Sequence, residues 1–448
     1  MIPPKPEARP GSVSLLRLAR LFRRDLLSAL PQKLYRARMA EFRTPFFRSF
    51  LCNDPPLIRR VLEERPDDFP KSDRIREGLA PLLGNSVFVT NGEVWKRQRR
   101  IIDPAFAGGR LREVFPAMWS ACEAAVARQA VGTVEMEALT SHAAADMIFR
   151  TLFSLPIEDE VAQEVFHRFR DYQRAQPIAN IGALVALPRW MPRFHSRRTR
   201  AAARDIRRLI GDLTRRRAAL IAAGQAPDDL ATKIMTTPDP LTGALFSAEE
   251  MVDQVAIFFL AGHETSASAA AWALYLLATH PEAQERIAEE AADLKPDFAA
   301  LRRLPFTRDV FREALRLYPP VPMMVRENLR DEDLRGRAVS PGAQIVLSPW
   351  HLHRHERLWE RPDAFDPDRW KTEAGKASAR DGYMPFSSGP RVCTGAGFAM
   401  MEGVLLLAHL VRHFRFLPGD EVPVPVAHLT VRAAGGIPLR VERRQPRA

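Results

Sequence analysis

One run, QVAIFFLAGHETSASAAAWALYLLAT from Gln254 to Thr279, limits the folds open to this chain more than any other segment. It is long and apolar enough to cross a bilayer, and Ser247 and Glu250 ahead of it have the spacing of a helix capping box. Two ionisable residues, His263 and Glu264, interrupt it. Such side chains are costly in hydrocarbon, so the run predicts a helix through the middle of a large soluble domain. An ionisable pair buried there needs a reason.

The 448 residues are 46% hydrophobic and 27% charged, which is globular usage without low-complexity tracts. Helical periodicity dominates from residue 12 to about 317, and residues 320–350 and 414–442 read as short strands. The expected class is mainly α with small β-sheets. No linker or repeat divides the chain, which predicts a loose Pro-rich tail over 1–11 and a single large domain over 12–448.

Lys and Arg number 66 against 54 Asp and Glu, a formal charge of +12. Much of the excess, such as Arg197, Arg200, Arg204 and Arg208, reads as solvated helix faces, and no nucleic-acid motif accompanies it. Residues 12–30 place Leu15, Leu16, Leu18, Leu21, Phe22, Leu26 and Leu27 among arginines at helical spacing. That segment either lies on an anionic membrane surface or docks on its own domain. It has the pattern of neither a secretion signal nor a spanning anchor. Cys52, Cys122 and Cys393 stand far apart, which excludes a disulfide framework and fits a reducing cytoplasm.

Cys393 lies in FSSGPRVCTGAGF, residues 386–398, just ahead of a predicted helix over 396–413 whose apolar face is Phe398, Met401, Leu405, Ala408 and Val411. A helix N-terminus with Arg391 nearby favours a thiolate. A cysteine nucleophile would need a local histidine, and His351, His353 and His355 are distant in sequence. Structural zinc would need three more ligands. A lone thiolate suits an iron already held by a porphyrin. Gly389 and Gly395 then allow close backbone approach, Phe386 shields the sulfur, and Arg391 offers a cation to a propionate.

Phe386, Gly389, Arg391, Cys393 and Gly395 match the FxxGxRxCxG signature of the cytochromes P450, the haem-thiolate monooxygenases, and the chain resembles that family from about residue 12 to 442. Ala261, Gly262, His263, Glu264 and Thr265 resemble its AGx(D/E)T motif, and Trp95 with Arg99 its WxxxR, with Gln98 where a histidine is often found. Glu313 and Arg316 resemble its ExxR pair, completed as an ion-pair triad by Arg369, with Trp370 in place of the usual phenylalanine. The resemblance implies the cytochrome P450 fold, with haem b (iron protoporphyrin IX) between the central helix and the cysteine loop. It also implies activation of dioxygen and hydroxylation of a lipophilic small molecule. Cys393 would be the axial iron ligand, Thr265 and Glu264 the proton relay, and Trp95, Arg99, Arg326 and Arg391 the haem-propionate anchors.

Electrons must then come from a separate ferredoxin or flavodoxin-type donor and its NAD(P)H reductase, because Gly395 and Gly397 are followed by Met400 where a dinucleotide fingerprint needs glycine. Lys96, Arg97 and Arg100 would attract an acidic ferredoxin. The expected pocket draws on Phe88, Phe258, Phe259, Ala261, Met323, Met324 and Val325, which suits a fatty acid, terpenoid or steroid. A monomeric cytoplasmic protein is expected. Two alternatives stand beside this reading. One is a peroxide-driven peroxygenase, which carries arginine and proline where this chain has Glu264 and Thr265. The other is a non-enzymatic haem sensor or carrier, which has no use for a buried acid–alcohol pair.

Overall fold

A computed structural model describes residues 2–9, 11, 13–14, 17–18, 20–21, 25–43, 48–175, 196–427 and 430–445. The longer helices are α1 (Asp73–Leu83), α2 (Gly92–Ile102), α3 (Gly108–Arg128), α4 (Met136–Phe153), α5 (Glu160–Ala175), α6 (Arg197–Ala222) and α7 (Leu230–Thr236). They continue with α8 (Ala248–Phe258), α9 (Glu264–Thr279), α10 (Pro281–Glu290), α11 (Pro305–Leu317), α12 (Glu373–Gly382) and α13 (Ala396–His413). The mainly helical class expected from sequence is the observed one.

The predicted central helix exists but is not a uniform α-helix. α8 and α9 run on through a π-helical turn at Phe259–His263, and the Ser247–Glu250 capping box closes the N-terminal end. Such wide turns are rare and concentrate at functional sites. The rod lies in the main core, where α9 packs on α4, α11 and α13. Its alanines, including Ala269, Ala270, Ala271 and Ala273, let these helices approach closely, while Trp272 stacks on Tyr318 at 4.0 Å. His263 is a satisfied core histidine: its Nε2 meets Ser141 Oγ of α4 at 2.7 Å, and burial pushes its pKa down to about 3. Among the described residues no helix is long and apolar enough to cross a membrane.

The strands within 320–350 and 414–442 appear as β4 (Met324–Glu327), β5 (Glu332–Asp333), β6 (Ala338–Val339), β7 (Gln344–Leu347), β8 (Phe414–Pro418), β9 (Val424–Ala427), β10 (Val431–Ala434) and β11 (Pro438–Arg443). Three further strands lie where helical periodicity was expected: β1 (Met39–Arg43), β2 (Arg48–Cys52) and β3 (Gly132–Glu135). Distant partners define them. β2 pairs in parallel with β7 in a sheet of order β1-β2-β7-β4, and β3 joins β11 and β8 in a sheet of order β3-β11-β8.

The described residues of the N-terminal tail touch the rest of the chain. Pro3 is buried, the Tyr318 hydroxyl donates to the Pro4 carbonyl at 2.8 Å, and the Arg9 backbone bridges Pro31. Leu26 and Leu27 are buried in the main core, and Leu30 and Leu34 pack under the four-stranded sheet. Lifting each of these side chains out would cost about 1.5–3 kcal/mol, which favours the docked reading for the described part of 12–30. Leu15, Leu16 and Phe22 lie outside the described residues.

Candidate active site

Between Asp253 and Ala278 one stripe of the central rod stays accessible while the rest is buried: Phe258, Ala261, Gly262 and Thr265, spaced three and four apart. Ala261 is the exposed member, and the Thr265 hydroxyl donates to its carbonyl at 2.5 Å. At Gly262 the small residue serves helix packing, since a Cβ there would come within 2.2 Å of Ile148 Cδ1 on α4. Glu264 is buried away from this stripe. Its Oε1 accepts from the Thr430 hydroxyl at 2.7 Å and from the Arg432 guanidinium at 3.0 Å. The acid and the alcohol are neighbours in sequence with different surroundings.

Cys393 is accessible although protein closes around its loop. Its N–H donates to the Phe386 carbonyl at 2.9 Å, and the Arg99 guanidinium of α2 donates to the next carbonyl, Val392, at 2.8 Å. Gly389 is required by conformation and by space, with φ +68° and a Cβ position 1.9 Å from the Leu62 carbonyl oxygen. Gly395 needs no such freedom, with φ −84° as the residue capping α13. Its N–H instead hydrogen-bonds the sulfur. Burial works against the expectation that the helix end and Arg391 favour a thiolate, while the helix-end N–H of Gly395 works for it. Burial raises the thiol pKa, opposed by the Gly395 N–H, Arg99 and Lys71. A thiol kept protonated by burial becomes a thiolate when a metal cation takes the proton's place. Among the described residues no three His, Cys, Asp or Glu side chains cluster as metal ligands, so the sulfur is suited to an iron that brings its other ligands with it.

Cations gather around this sulfur. Arg391 lies over the Trp95 ring at 4.1 Å and donates to Thr90 O and Asn91 Oδ1. Arg326 is buried, and its backbone bridges Lys71, whose ammonium donates to Phe88 O at 2.6 Å. Lys71 is the residue sequence reading missed. It lies in FPKSD, which carries no motif, and only the pairing with Arg326 brings it to the site. Burial, then Arg326, Arg391 and Arg99, hold its ammonium well below the usual lysine range. Burial and Arg391 lower Arg326 to about 10, and burial lowers Arg391 to about 10, with Arg99 adding to the effect. Lys71, Arg326 and Arg391 form no ion pair among the described residues. Enclosed, mutually repelling cations are unfavourable unless an anion joins them. The two propionates of a haem carry the complementary charge, so this donor set fits that group.

The predicted triad is intact. Glu313 Oε1 accepts from Arg316 at 2.8 Å and from Arg369 at 2.9 Å, with both Glu313 and Arg316 fully buried. Arg316 also donates to the carbonyls of His353, Pro362 and Ala364. His353 accepts the Met384 N–H two residues before Phe386, which ties the triad to the cysteine loop.

Other expectations fare differently. Phe88 and Phe258 are accessible, Phe258 packing beside Phe106. Phe259 is core rather than pocket, 4.5 Å from Phe149 and close to Phe153 and Phe169, because consecutive helical residues point about 100° apart and its side of the rod faces α4 and α5. Val325 is likewise buried with Leu30, Leu51 and Val346, while Met323 and Met324 are half-buried at cluster edges. The basic patch on α2 is largely neutralised: Lys96 pairs with Asp67 and Glu93, Arg97 with Glu250, and Arg100 with Asp239.

The fold and this site define a haem-thiolate protein, and comparison with known proteins agrees. The family model described as Cytochrome P450 matches residues 32–436. "Cyclooctat-9-en-7-ol 5-monooxygenase" of Streptomyces melanosporofaciens is 34% identical over 97% of this chain and 95% of that protein. "Cyclooctatin synthase" of the same organism is 32% identical over 96% and 94%. The solved cytochrome P450DA heme domain superposes with a TM-score of 0.81 at 24% identity, covering 99% of both chains. The chain therefore belongs to the cytochrome P450 family. Its enzymatic class is that of the P450 monooxygenases.

Proposed function

We propose that this monooxygenase hydroxylates a lipophilic small molecule of the terpenoid class, using haem b on Cys393 and electrons from a separate ferredoxin or flavodoxin-type donor with its NAD(P)H reductase. The observation that carries the haem assignment is the accessible Cys393 sulfur beside Lys71, Arg326 and Arg391, cations that lack carboxylate partners among the described residues. Support for the substrate class comes from the relative named for an alkenol, and from the apolar approach formed by Phe88, Phe258 and Ala261.

When bound, the haem supplies dioxygen activation at a thiolate-ligated iron. The chain's residues do the rest. Lys71, Arg326 and Arg391 hold the propionates, Arg99 fixes the ligand loop through Val392, and Trp95 supports Arg391 by stacking. Thr265 holds a proton at Oγ on the accessible stripe. Glu264 resupplies it, which requires the carboxylate to exchange its contact with Arg432 for one nearer the stripe. Thr265→Ala should uncouple oxygen consumption from product formation about tenfold or more, and unchanged coupling would remove the relay.

The first test is the absorption spectrum of the reduced protein under carbon monoxide. A strongly red-shifted Soret band that is lost in Cys393→His supports thiolate ligation. A band at the histidine-ligated position in the unaltered protein would overturn it. Incubation with terpenoid alcohols and a generic ferredoxin system should then yield products heavier by one oxygen atom. Steroids or fatty acids turned over in their place would refute the substrate class.

A further inference from the structure

A surface cleft of about 510 Å³ far from Cys393 in sequence is lined by Arg36, Arg38, Arg335, Arg337 and Arg357, with Ala37 and Met39. Nothing in the monooxygenase reaction calls for it. Three carboxylates touch these arginines. Glu356 pairs with Arg36. Asp54 is shared by Arg335 at 3.1 Å and Arg38 at 3.8 Å. Glu41 is shared by Arg337, Arg43 and Arg48. Counting Arg43 and Arg48, and Asp333, whose carboxylate accepts from the Gly336 N–H in the neighbouring hairpin, seven guanidinium groups meet four carboxylates, a local excess of three positive charges. The contacts with the three arginines outweigh burial and hold Glu41 at a pKa of about 2, so it stays an anion and is rightly counted against the guanidinium groups.

The backbone adds an independent observation. Leu334 and Arg337 close a two-residue hairpin between β5 and β6 through hydrogen bonds in both directions, 3.0 and 3.2 Å. Its central residues, Arg335 and Gly336, have φ +55° and +76°. Such a turn favours Asn-Gly or Asp-Gly, and a long side chain at its first position is disfavoured. An arginine held there against that preference places its guanidinium at the cleft, with Arg337 on the other side of the turn.

From this convergence of guanidinium forks we infer that the cleft binds a soluble phosphate-class polyanion of about the size of pyrophosphate or an organic diphosphate. Guanidinium forks match phosphate oxygens in pairs, and several converging forks suit more than one phosphate group. A flat anionic bilayer fits less well. The arginines line one cleft together, and none of the large exposed apolar side chains among the described residues lies at it to insert into lipid. The inference is independent of the terpenoid assignment.

The test is isothermal titration of the haem-loaded full chain with sodium pyrophosphate at fixed ionic strength, haem occupying the other cation cluster. Saturable binding is expected, at least tenfold tighter than inorganic phosphate, and weakened at least tenfold in Arg335→Asn and in Arg357→Gln. Arg335→Asn should not lower the melting temperature, because asparagine tolerates the left-handed turn, so lost binding cannot be ascribed to unfolding. Heat of dilution alone, or equal affinity in both variants, would overturn the proposal. So would binding confined to phosphatidylglycerol vesicles with no response to pyrophosphate, which would mark a membrane-facing surface.

Discussion

Arg316→Lys is the substitution whose cost follows most directly from the structure. The guanidinium spends all five N–H donors: two on Glu313, and one each on the carbonyls of His353, Pro362 and Ala364. An ammonium has three donors and cannot span the same acceptors. Glu313 Oε1 and the Ala364 carbonyl keep donors from Arg369. One ammonium cannot reach Glu313 Oε2 together with the carbonyls of His353 and Pro362, so one buried acceptor is left unmatched at about 1–3 kcal/mol and one charge-assisted bond to Glu313 is lost at about 1.5–3 kcal/mol, or roughly 2–6 kcal/mol in total. For a chain of 448 residues the unfolding entropy makes this a fall in melting temperature of roughly 2–6 °C. The damage should be local as well as global, because the abandoned carbonyls belong to the segment leading to Met384 and the cysteine loop. Thermal unfolding of the haem-loaded variant, read beside its carbon monoxide spectrum, tests both parts. A melting temperature within 1 °C of the parent (about the resolution of the method) with an undiminished thiolate band would refute the reasoning.

Other substitutions probe the loop, the cations and the core. Gly389→Ala forces a Cβ to within 1.9 Å of Leu62 O at positive φ, so haem occupancy should fall with helical content retained, measured by the ratio of Soret to protein absorbance. Lys71→Gln should act in opposite directions on the two forms, raising the melting temperature of haem-free protein by relieving repulsion and speeding haem loss about tenfold, read by transfer to a haem acceptor. Glu402 is buried, with only Ser266 donating to it among the described residues, and burial raises its pKa from 4.5 to about 8. The folded state therefore binds the extra proton between those values, and stability falls as pH rises through that window by up to ~1.4 kcal/mol per pH unit. Glu402→Gln should flatten that slope, measured as melting temperature against pH from 5 to 8. Lys96→Glu should slow reduction by an acidic donor, most at low salt, since it takes the cluster with Asp67 and Glu93 from one net negative charge to three.

What the sequence made legible was local. The cysteine loop, α13, the triad and the capped central rod each depend on residues close together or in a fixed spacing, and each appears where the pattern places it. What it hid depended on distance. β2 is defined by β7, almost three hundred residues later, and Lys71 reaches the site only because its backbone bridges Arg326. Phe259 is expected in the pocket because it is apolar and lies on the central helix beside Phe258 in sequence, but consecutive helical residues point about 100° apart, and which of them meets the core is decided by packing partners far along the chain. The salt bridge from Arg432 to Glu264 was hidden for the same reason as β2, since it spans most of the C-terminal half of the chain.

The wide turn at Phe259–His263 takes up length between two stretches of helix. Each residue of an α-helix advances the face by about 100°, and about five residues of a π-turn cover the rotation of four α-helical ones. Deleting one residue within the turn would let the rod close into regular α-helix while both flanking segments kept their sequence and their facing. Deleting one residue within α8 or α9 would instead rotate every side chain beyond it by about 100°. Thr265 and the alanines of α9 thus keep their alignment with the site across a turn that absorbs a change of length, whereas the regular helix on either side passes such a change on.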